Sequence, residues 1–186
     1  LLQVAEAMQT ITNADDLLAT MTRLTPLLVG INQCAFILFD ENDQAFHLRT
    51  WYGFTPSQEE KILHDDQCLA LLKMRLTKEP VFITDPPKEM GMSSLFLSPD
   101  SGTMVLIPLI SHSEIFGGFL VSHDSLGEFG IRNLFNDQTL AILQGIARQT
   151  SIALENIRLI ENRQEEAYIT AVLLQVAQAV VSQNKL

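Results

Sequence analysis

The chain has 186 residues, 47% of them hydrophobic and 18% charged, so it carries enough apolar side chains to bury the core of one globular domain. Its 12 lysines and arginines against 22 acidic residues give a formal net charge of −10, and no basic cluster occurs, which argues against direct nucleic-acid binding. The longest apolar run, Met104 to Ile110, is too short to span a bilayer and no signal sequence is visible, so we expect a soluble, cytoplasmic protein without membrane insertion.

The first 52 residues predict two helices followed by a hairpin. Leu1 to Ile11 has apolar residues at helical spacing, and a second helix opens at Asp15 and ends at Gly30. Strands are predicted at Gln33 to Asp40 and at Ala45 to Tyr52. The short turn between them makes this pair an antiparallel hairpin.

Strict alternation on the second strand divides its side chains between two faces. One face would hold Phe46, Leu48, Thr50 and Tyr52, and the other His47, Arg49 and Trp51. If the first face packs on the helices, Arg49 and Trp51 point toward the segment that follows. An arginine beside the only tryptophan suits a planar or anionic ligand, whereas an arginine that covers an exposed tryptophan is an equally ordinary explanation.

The middle of the chain predicts an insert over the sheet. Helical spacing covers Pro56 to Leu63 and Gln67 to Leu76, and Pro80 to Thr84 reads as a short strand. Such a segment suits the wall of a cavity, with Gly91 to Leu97 and its Phe96 as a lid.

A second hairpin follows, with strands at Thr103 to Ile110 and Ile115 to His123 around a four-residue turn. Pro108 lacks a backbone donor and is therefore expected at a strand edge or a bulge. The last element is the longest, a helix from Asn136 or Asp137 to Val181.

The last helix is apolar on two sides, so it needs a second partner besides the sheet, and a parallel copy of itself is the simplest one. We therefore expect a homodimer with a coiled coil. Its interface is predicted to use one residue set from the first helix and one from the last: Leu1, Val4, Met8, Leu154 and Ile157.

The chain also repeats its own opening. Leu1 to Ala7 reads LLQVAEA and Leu173 to Ala179 reads LLQVAQA, a period of a domain's size. This predicts one domain at residues 1–160, and a connector with the first helix of a following module at residues 161–186. The alternative is two unrelated amphipathic helices that share common residue types.

Together these elements predict an α+β fold, an antiparallel sheet of about five to six strands with the terminal helices on one face and the insert over the other. The order and spacing of several segments also resemble the GAF domain, the small-molecule-sensing module of signalling proteins. They are Thr77-Lys78-Glu79-Pro80-Val81 with Thr84-Asp85, Val105-Leu106-Ile107-Pro108-Leu109, Ile115-Phe116-Gly117-Gly118-Phe119-Leu120, and Leu143-Gln144-Gly145-Ile146-Ala147 through Ile152-Ala153-Leu154-Glu155-Asn156.

The resemblance also shows which family chemistries this sequence lacks. Cyclic-nucleotide-binding members share an Asn-Lys…Phe…Asp-Glu signature. Phe135-Asn136-Asp137-Gln138 matches it only weakly, and no Asn-Lys pair precedes this segment. The segment Glu89 to Gly102 holds no cysteine for tetrapyrrole attachment, and Cys68 lies too far upstream. The sulfoxide-reducing members rely on a set of cysteines, whereas this chain has only Cys34 and Cys68. The cofactor is therefore left unassigned.

The four histidines show none of the close spacings of a metal site, so no metal is assigned. His64 in the insert is a candidate for the cavity, against a solvated helix-terminal cluster. His123 matches a histidine position of tetrapyrrole-binding relatives, against a strand-end side chain bonded to backbone. The candidate ligand-binding residues are therefore Arg49, Trp51, His64, Phe96 and His123.

No nucleophile with a base at motif spacing and no glycine-rich phosphate loop occurs, so no catalytic residue is assigned. The resemblance then implies a sensory domain of a bacterial signalling protein, such as one of a two-component system, that binds a small molecule. Adjacent domains of the same chain would carry any effector enzyme. The alternatives are a ligand-free dimerisation module and an enzyme that resembles methionine sulfoxide reductase.

Overall fold

The structure is a computed structural model that describes residues 13–54, 62–64, 68–84, 89, 101–112, 114–124 and 135–183. It confirms the α+β class. The described elements in chain order are α1 (Ala14–Val29), β1 (Gln33–Asp40), β2 (Ala45–Tyr52), β3 (Ile62–Leu63), α2 (Leu69–Thr77), β4 (Val81–Ile83), β5 (Ser101–Ser111), β6 (Glu114–Asp124) and α3 (Asp137–Gln183). The strands form one six-stranded antiparallel sheet in the order β3-β2-β1-β6-β5-β4.

Helix α1 begins and ends at capping residues that the sequence contains. The Asn13 side chain accepts a hydrogen bond from the backbone N–H of Asp15 at 2.7 Å, which satisfies one unpaired donor of the first turn. Gly30 ends the helix in the left-handed conformation, with φ of 73°, that glycine adopts most easily. The predicted first helix, residues 1–11, lies outside the described residues.

The segment after β2 differs from the sequence prediction. Ile62 and Leu63 were expected at the end of a helix, but they form β3, which pairs with Phe46 and His47 of β2. Pairing with an existing strand edge therefore overrides the local helical spacing. Helix α2 matches its prediction and ends at Lys78, whose backbone is also left-handed.

The second hairpin, β5 with β6, is present as predicted and is the most extensive pairing of the sheet. Pro108 lies beyond Leu106, the last residue of β5 that pairs with β4. The pairing with β4 therefore loses no hydrogen bond through the missing N–H of the proline. Helix α3 runs without interruption for 47 residues, which corresponds to about 70 Å. Among the described helices, none is both long and apolar enough to cross a membrane.

The sheet separates two apolar cores. The helix-side core packs α1 and α3 on Phe36, Val105 and Phe119. The rings of Phe36 and Phe119 stack with their centroids 4.4 Å apart. The insert-side core packs α2 on the opposite face of the same strands, through Leu71 and Met74. The layer arrangement is thus the predicted one, with terminal helix and insert on opposite faces.

The close contact between β6 and β1 leads to a first prediction. A Cβ added at Gly117 would lie 1.9 Å from the Ile37 backbone oxygen and 2.8 Å from Leu38 Cα. Because backbone atoms of a central strand cannot move aside, Gly117→Ala is expected to lower the free energy of unfolding by more than about 3 kcal/mol. Denaturant unfolding of the purified chain measures this loss.

Gly145→Ala is the matched control, since Gly145 lies inside α3 and a Cβ there would meet nothing within 4 Å. The same exchange should raise stability by about 0.5–1 kcal/mol because alanine is the better helix former. Equal effects of the two substitutions would contradict the strand packing described here.

Candidate functional site

The insert-facing side of the sheet is where the sequence predicts a ligand. Its described surface is apolar and buried, with Ala35 and Ile37 of β1 beside Leu120 of β6. Trp51 of β2 packs against this core and is half-buried, as expected for a residue on the insert-facing side.

Arg49 lies on the other side, which corrects the predicted face. Phe36 of β1 pairs with Thr50 and Ile37 pairs with Leu48, so Arg49 is an extra residue of β2 at this shift in register. Its guanidinium bonds Asp15 of α1, with Nη2 at 2.7 Å and Nε at 3.2 Å from Oδ1. Arg49 therefore faces α1 and does not accompany Trp51.

The same bulge reverses the predicted faces of Phe46 and Leu48, whereas Thr50 and Trp51 lie on the faces predicted for them. Phe46 and Leu48 were expected to pack on the helices, but both belong to the insert-side core. Thr50 lies on the helix side, where its hydroxyl is 2.7 Å from that of Thr22 in α1. One inserted residue thus sends the two halves of β2 to opposite faces.

The other predicted ligand residues are dispersed. His64 follows β3 at the edge of the sheet and is exposed. His123 belongs to β6, next to Ser122, and Phe96 lies outside the described residues. Arg49 and Trp51 therefore lie on opposite faces of the sheet, and His64 lies at its edge.

Two polar residues on the insert-facing side are not among the site residues that the sequence predicts. Gln33 of β1 and Ser122 of β6 are buried partners in the antiparallel register. Their signal was weak, a single polar residue at the end of each apolar strand, and burial could not be read from that pattern.

The two cysteines are placed on opposite sides of the sheet, and neither is in a disulfide. Cys34 belongs to the helix-side core and Cys68 to the insert-side core. Burial raises the pKa of Cys34 to about 12, so this thiol stays protonated, and it donates to the Thr22 carbonyl oxygen at 3.6 Å. A redox pair of these two residues therefore conflicts with the geometry.

The β1–β2 turn groups the side chains of Asp40, Asp43 and His47 closely enough to hold a metal ion. The turn itself already uses these groups. Asp40 accepts from the backbone and side-chain N–H of Asn42, which lowers its pKa, and His47 Nε2 lies 2.7 Å from Asp43 Oδ2. Since both carboxylates are exposed to solvent, these contacts explain the group as a turn network.

A groove of about 660 Å³ lies beside this turn, between the hairpin, the start of α1 and helix α3. Its apolar lining includes Leu38 and Phe116, and its polar lining includes Arg158 and Glu161. Leu154 and Ile157 also border it, but each is only 5% exposed and belongs to the helix-side core.

This burial leaves Leu154 and Ile157 with little surface for the dimer interface that the sequence predicts. Both are committed to contacts within one chain. Leu1, Val4 and Met8 lie outside the described residues. Ile152 is 39% exposed, and the other large exposed apolar residues described in α3 lie farther along the helix: Leu159, Ile160, Tyr168, Ile169, Val172, Leu173, Leu174 and Val176.

A polar contact joins the β5–β6 turn to α3. The Ser111 hydroxyl donates to Glu155 Oε2, and His112 Nδ1 lies 2.7 Å from Glu155 Oε1. A catalytic triad places histidine between the hydroxyl and the carboxylate, whereas here one carboxylate binds both groups. The arrangement fastens the turn to the helix, and we call it the hairpin tether (Ser111, His112, Glu155).

The comparisons with known proteins agree with this architecture. Residues 12–155 match the family model described as GAF domain. The search of curated proteins gives no match.

Several solved structures share the fold. The GAF domain of a phosphoenolpyruvate-protein phosphotransferase from Coxiella burnetii is 14% identical, with a TM-score of 0.69 over 86% of this chain and 93% of that one. The GAF domain of a two-component sensor histidine kinase from Bacillus halodurans is 17% identical, with a TM-score of 0.62 over 81% and 99%. Free methionine-R-sulfoxide reductase from Neisseria meningitidis, in complex with its substrate, is 17% identical, with a TM-score of 0.66 over 85% and 87%.

The hairpin tether makes the stability of the domain depend on pH. The hydrogen bond from Ser111, followed by the contact with His112, holds the pKa of Glu155 below its ordinary value of 4.5. A carboxylate with a depressed pKa stabilises the folded state above its unfolded pKa, and this stabilisation is lost as the pH falls through the folded value. Glu155→Gln is therefore expected to remove part of the loss of stability on acidification below 4.5.

Urea unfolding across that acid range measures the effect. Glu161→Gln is the control, because Glu161 is an exposed residue of the same helix outside the tether. If Glu155→Gln and Glu161→Gln give parallel pH profiles, the tether does not hold the turn to the helix in solution.

Proposed function

The chain belongs to the GAF domain family, and from this premise we propose that it is a cytoplasmic sensory domain of a bacterial signalling protein. It would bind a small molecule on the insert-facing side of the sheet, dimerise through α3 and pass the bound state along that helix to adjacent domains. The observation that carries this proposal is that the first part of α3 is buried against the domain, whereas residues 158–178 of the same helix are exposed.

The anchored half of α3 packs on the sheet and on α1. Leu143, Ile146 and Ala147 are buried in the helix-side core, and the last buried residue of this series is Ile157. The hairpin tether adds a polar contact at Glu155. A displacement of β5 and β6 would therefore move this part of the helix.

The exposed half begins immediately afterwards, since residues 158–178 are all exposed. Ile169, Leu173 and Val176 are 49%, 63% and 56% exposed, and they follow each other at spacings of four and three. This is the spacing of the apolar seam of a coiled coil. A second copy of the same helix would cover the seam without any other partner.

The proposed ligand face is supported by the position of Trp51, which packs at the border of the insert-side core. The sulfoxide reductase with the same fold is a complex with its substrate, so this architecture holds a small molecule in at least one relative. For this chain, native mass spectrometry of the purified protein tests both bound small molecules and subunit number.

An enzyme of the sulfoxide-reductase kind receives less support. Cys34 and Cys68 are buried on opposite faces of the sheet, and thiol chemistry needs an accessible thiolate. A ligand-free dimerisation module is the remaining alternative, and it is favoured if native mass spectrometry and ligand screening find a dimer without any bound compound.

The coiled coil gives a direct prediction. Ile169→Glu with Leu173→Glu places two carboxylates in the proposed seam, where like charges of the two copies would meet, so the dimer should dissociate at least tenfold more readily. Sedimentation equilibrium at several protein concentrations measures this change.

Ala171→Glu with Gln178→Glu is the matched control, since it adds the same charge on the opposite side of the exposed helix. The control should leave the dimer intact. A wild-type chain that sediments as a monomer at about 10 μM, or seam and control variants that dissociate alike, would contradict the parallel coiled coil.

A truncation tests whether the exposed half of α3 is independent of the domain. Deleting the residues after Arg163 removes residues 164–178, which are all exposed, together with the end of the chain. The melting temperature at low protein concentration should therefore change by less than about 3 °C, and association should weaken. A drop of more than about 8 °C, which corresponds to over 2 kcal/mol for a domain of this size, would show that the segment packs back on the domain.

A further inference from the structure

Two buried polar side chains lie side by side at one corner of the insert-facing side of the sheet. Gln33 of β1 is 7% exposed and Ser122 of β6 is fully buried, and the two are direct register partners. Side chains alternate along a strand, and Ala35 and Leu120, two positions away on each strand, belong to the insert-side core. Both polar side chains therefore point to the insert side.

Each of them has a polar atom without a partner among the described residues. Gln33 Nε2 donates to the Gly53 carbonyl oxygen at 3.1 Å, which fixes the orientation of the amide and leaves Oε1 as an acceptor. Ser122 Oγ likewise has no hydrogen-bond partner there. Folded proteins seldom leave buried polar atoms unpaired, so the pair requires an explanation.

Local structure does not supply that explanation. Ser122 lies in the middle of a three-strand register, between Gln33 of β1 and Met104 of β5, where alanine would serve the strand equally well. By contrast, the buried hydroxyls of Thr150 and Ser151 in α3 donate to backbone carbonyls of their own helix. Within the described part of the chain, the two unpaired buried side-chain atoms both lie on the insert-facing side.

We propose that Gln33 and Ser122 bind the uncharged amide or lactam edge of a small molecule, an inference that rests on the sensory function proposed above. The ligand N–H would donate to Gln33 Oε1, and the Ser122 hydroxyl would donate to the ligand carbonyl. An uncharged group fits because no charged side chain is buried among the described residues, so a charged ligand would lack a counter-charge at this depth.

Three related probes test this chemistry on the 186-residue chain. Benzamide offers both N–H and carbonyl, N,N-dimethylbenzamide lacks the N–H, and benzoate carries a charge. Trp51 lies on the same face, opposite Ala35, so its fluorescence serves as a readout beside thermal shift. Benzamide should bind, and the other two should bind at least about tenfold more weakly, the loss expected for one hydrogen bond.

Variants connect binding to the two residues. Ser122→Ala and Gln33→Leu should each weaken benzamide binding about tenfold. Ser122→Ala should not lower the melting temperature of the ligand-free protein, since it removes an unpaired atom. Ser151→Ala is the control, because it removes a buried hydroxyl that is already bonded and should leave benzamide binding unchanged.

Three results would overturn the inference: no benzamide binding to the wild-type chain, equal binding of all three probes, or a Ser122→Ala variant that is less stable without ligand. The last result would indicate a structural partner for Ser122, such as a buried water. The two proposals fail on different results. A compound that binds the wild type and both variants equally would exclude this amide site but would still support a domain that binds a small molecule.

Discussion

Burial of the central strands on both faces is the constraint on which the rest of the structure depends. Gln33 to Ile37 are five consecutive buried residues of β1, and Gly117 to Ser122 of the neighbouring β6 are buried as well. Antiparallel sheets often leave one face in water, but these two strands need a cover on each side. The helices α1 and α3 cover one face, and the insert with α2 covers the other. On the insert side, Gly118 lets α2 pack closely on the sheet, since a Cβ there would lie 3.2 Å from Met74 Sδ of that helix.

Double burial also demands a partner for every polar atom inside the sandwich, and the two faces meet this demand differently. Pro26 has no N–H to donate to the Thr22 carbonyl of α1, and the Cys34 thiol donates to it instead. Because burial keeps this thiol protonated, its role is that of a hydrogen-bond donor rather than a nucleophile. Among the described residues, the Thr22 carbonyl on the helix side thus has a donor, whereas Gln33 Oε1 and Ser122 Oγ on the insert side have no partner.

Much of the fold could be predicted because its signals are local. The apolar runs of the strands, the end of α1 at Gly30 and the long apolar stripe of α3 each require only a few neighbouring residues. The site could be predicted less well because its geometry depends on contacts between strands. The bulge at Arg49 follows from the register between β1 and β2, and the burial of Leu154 and Ile157 follows from α1 lying across α3. No pattern within a single element contains that information.

The β5–β6 hairpin is the element that connects the two ends of the proposed mechanism. Its turn is fastened to α3 by the hairpin tether, and Ser122 lies eight residues from Glu114 along β6, about 26 Å at the rise of a strand. The two strands are paired along this length except at one register shift between Leu109 and Ile110, close to the turn. A ligand that draws Ser122 toward itself would therefore act on Glu155 through the paired strands of this hairpin. Since α3 leaves the domain within one turn of Glu155, even a small tilt at the tether would grow with distance along the exposed helix.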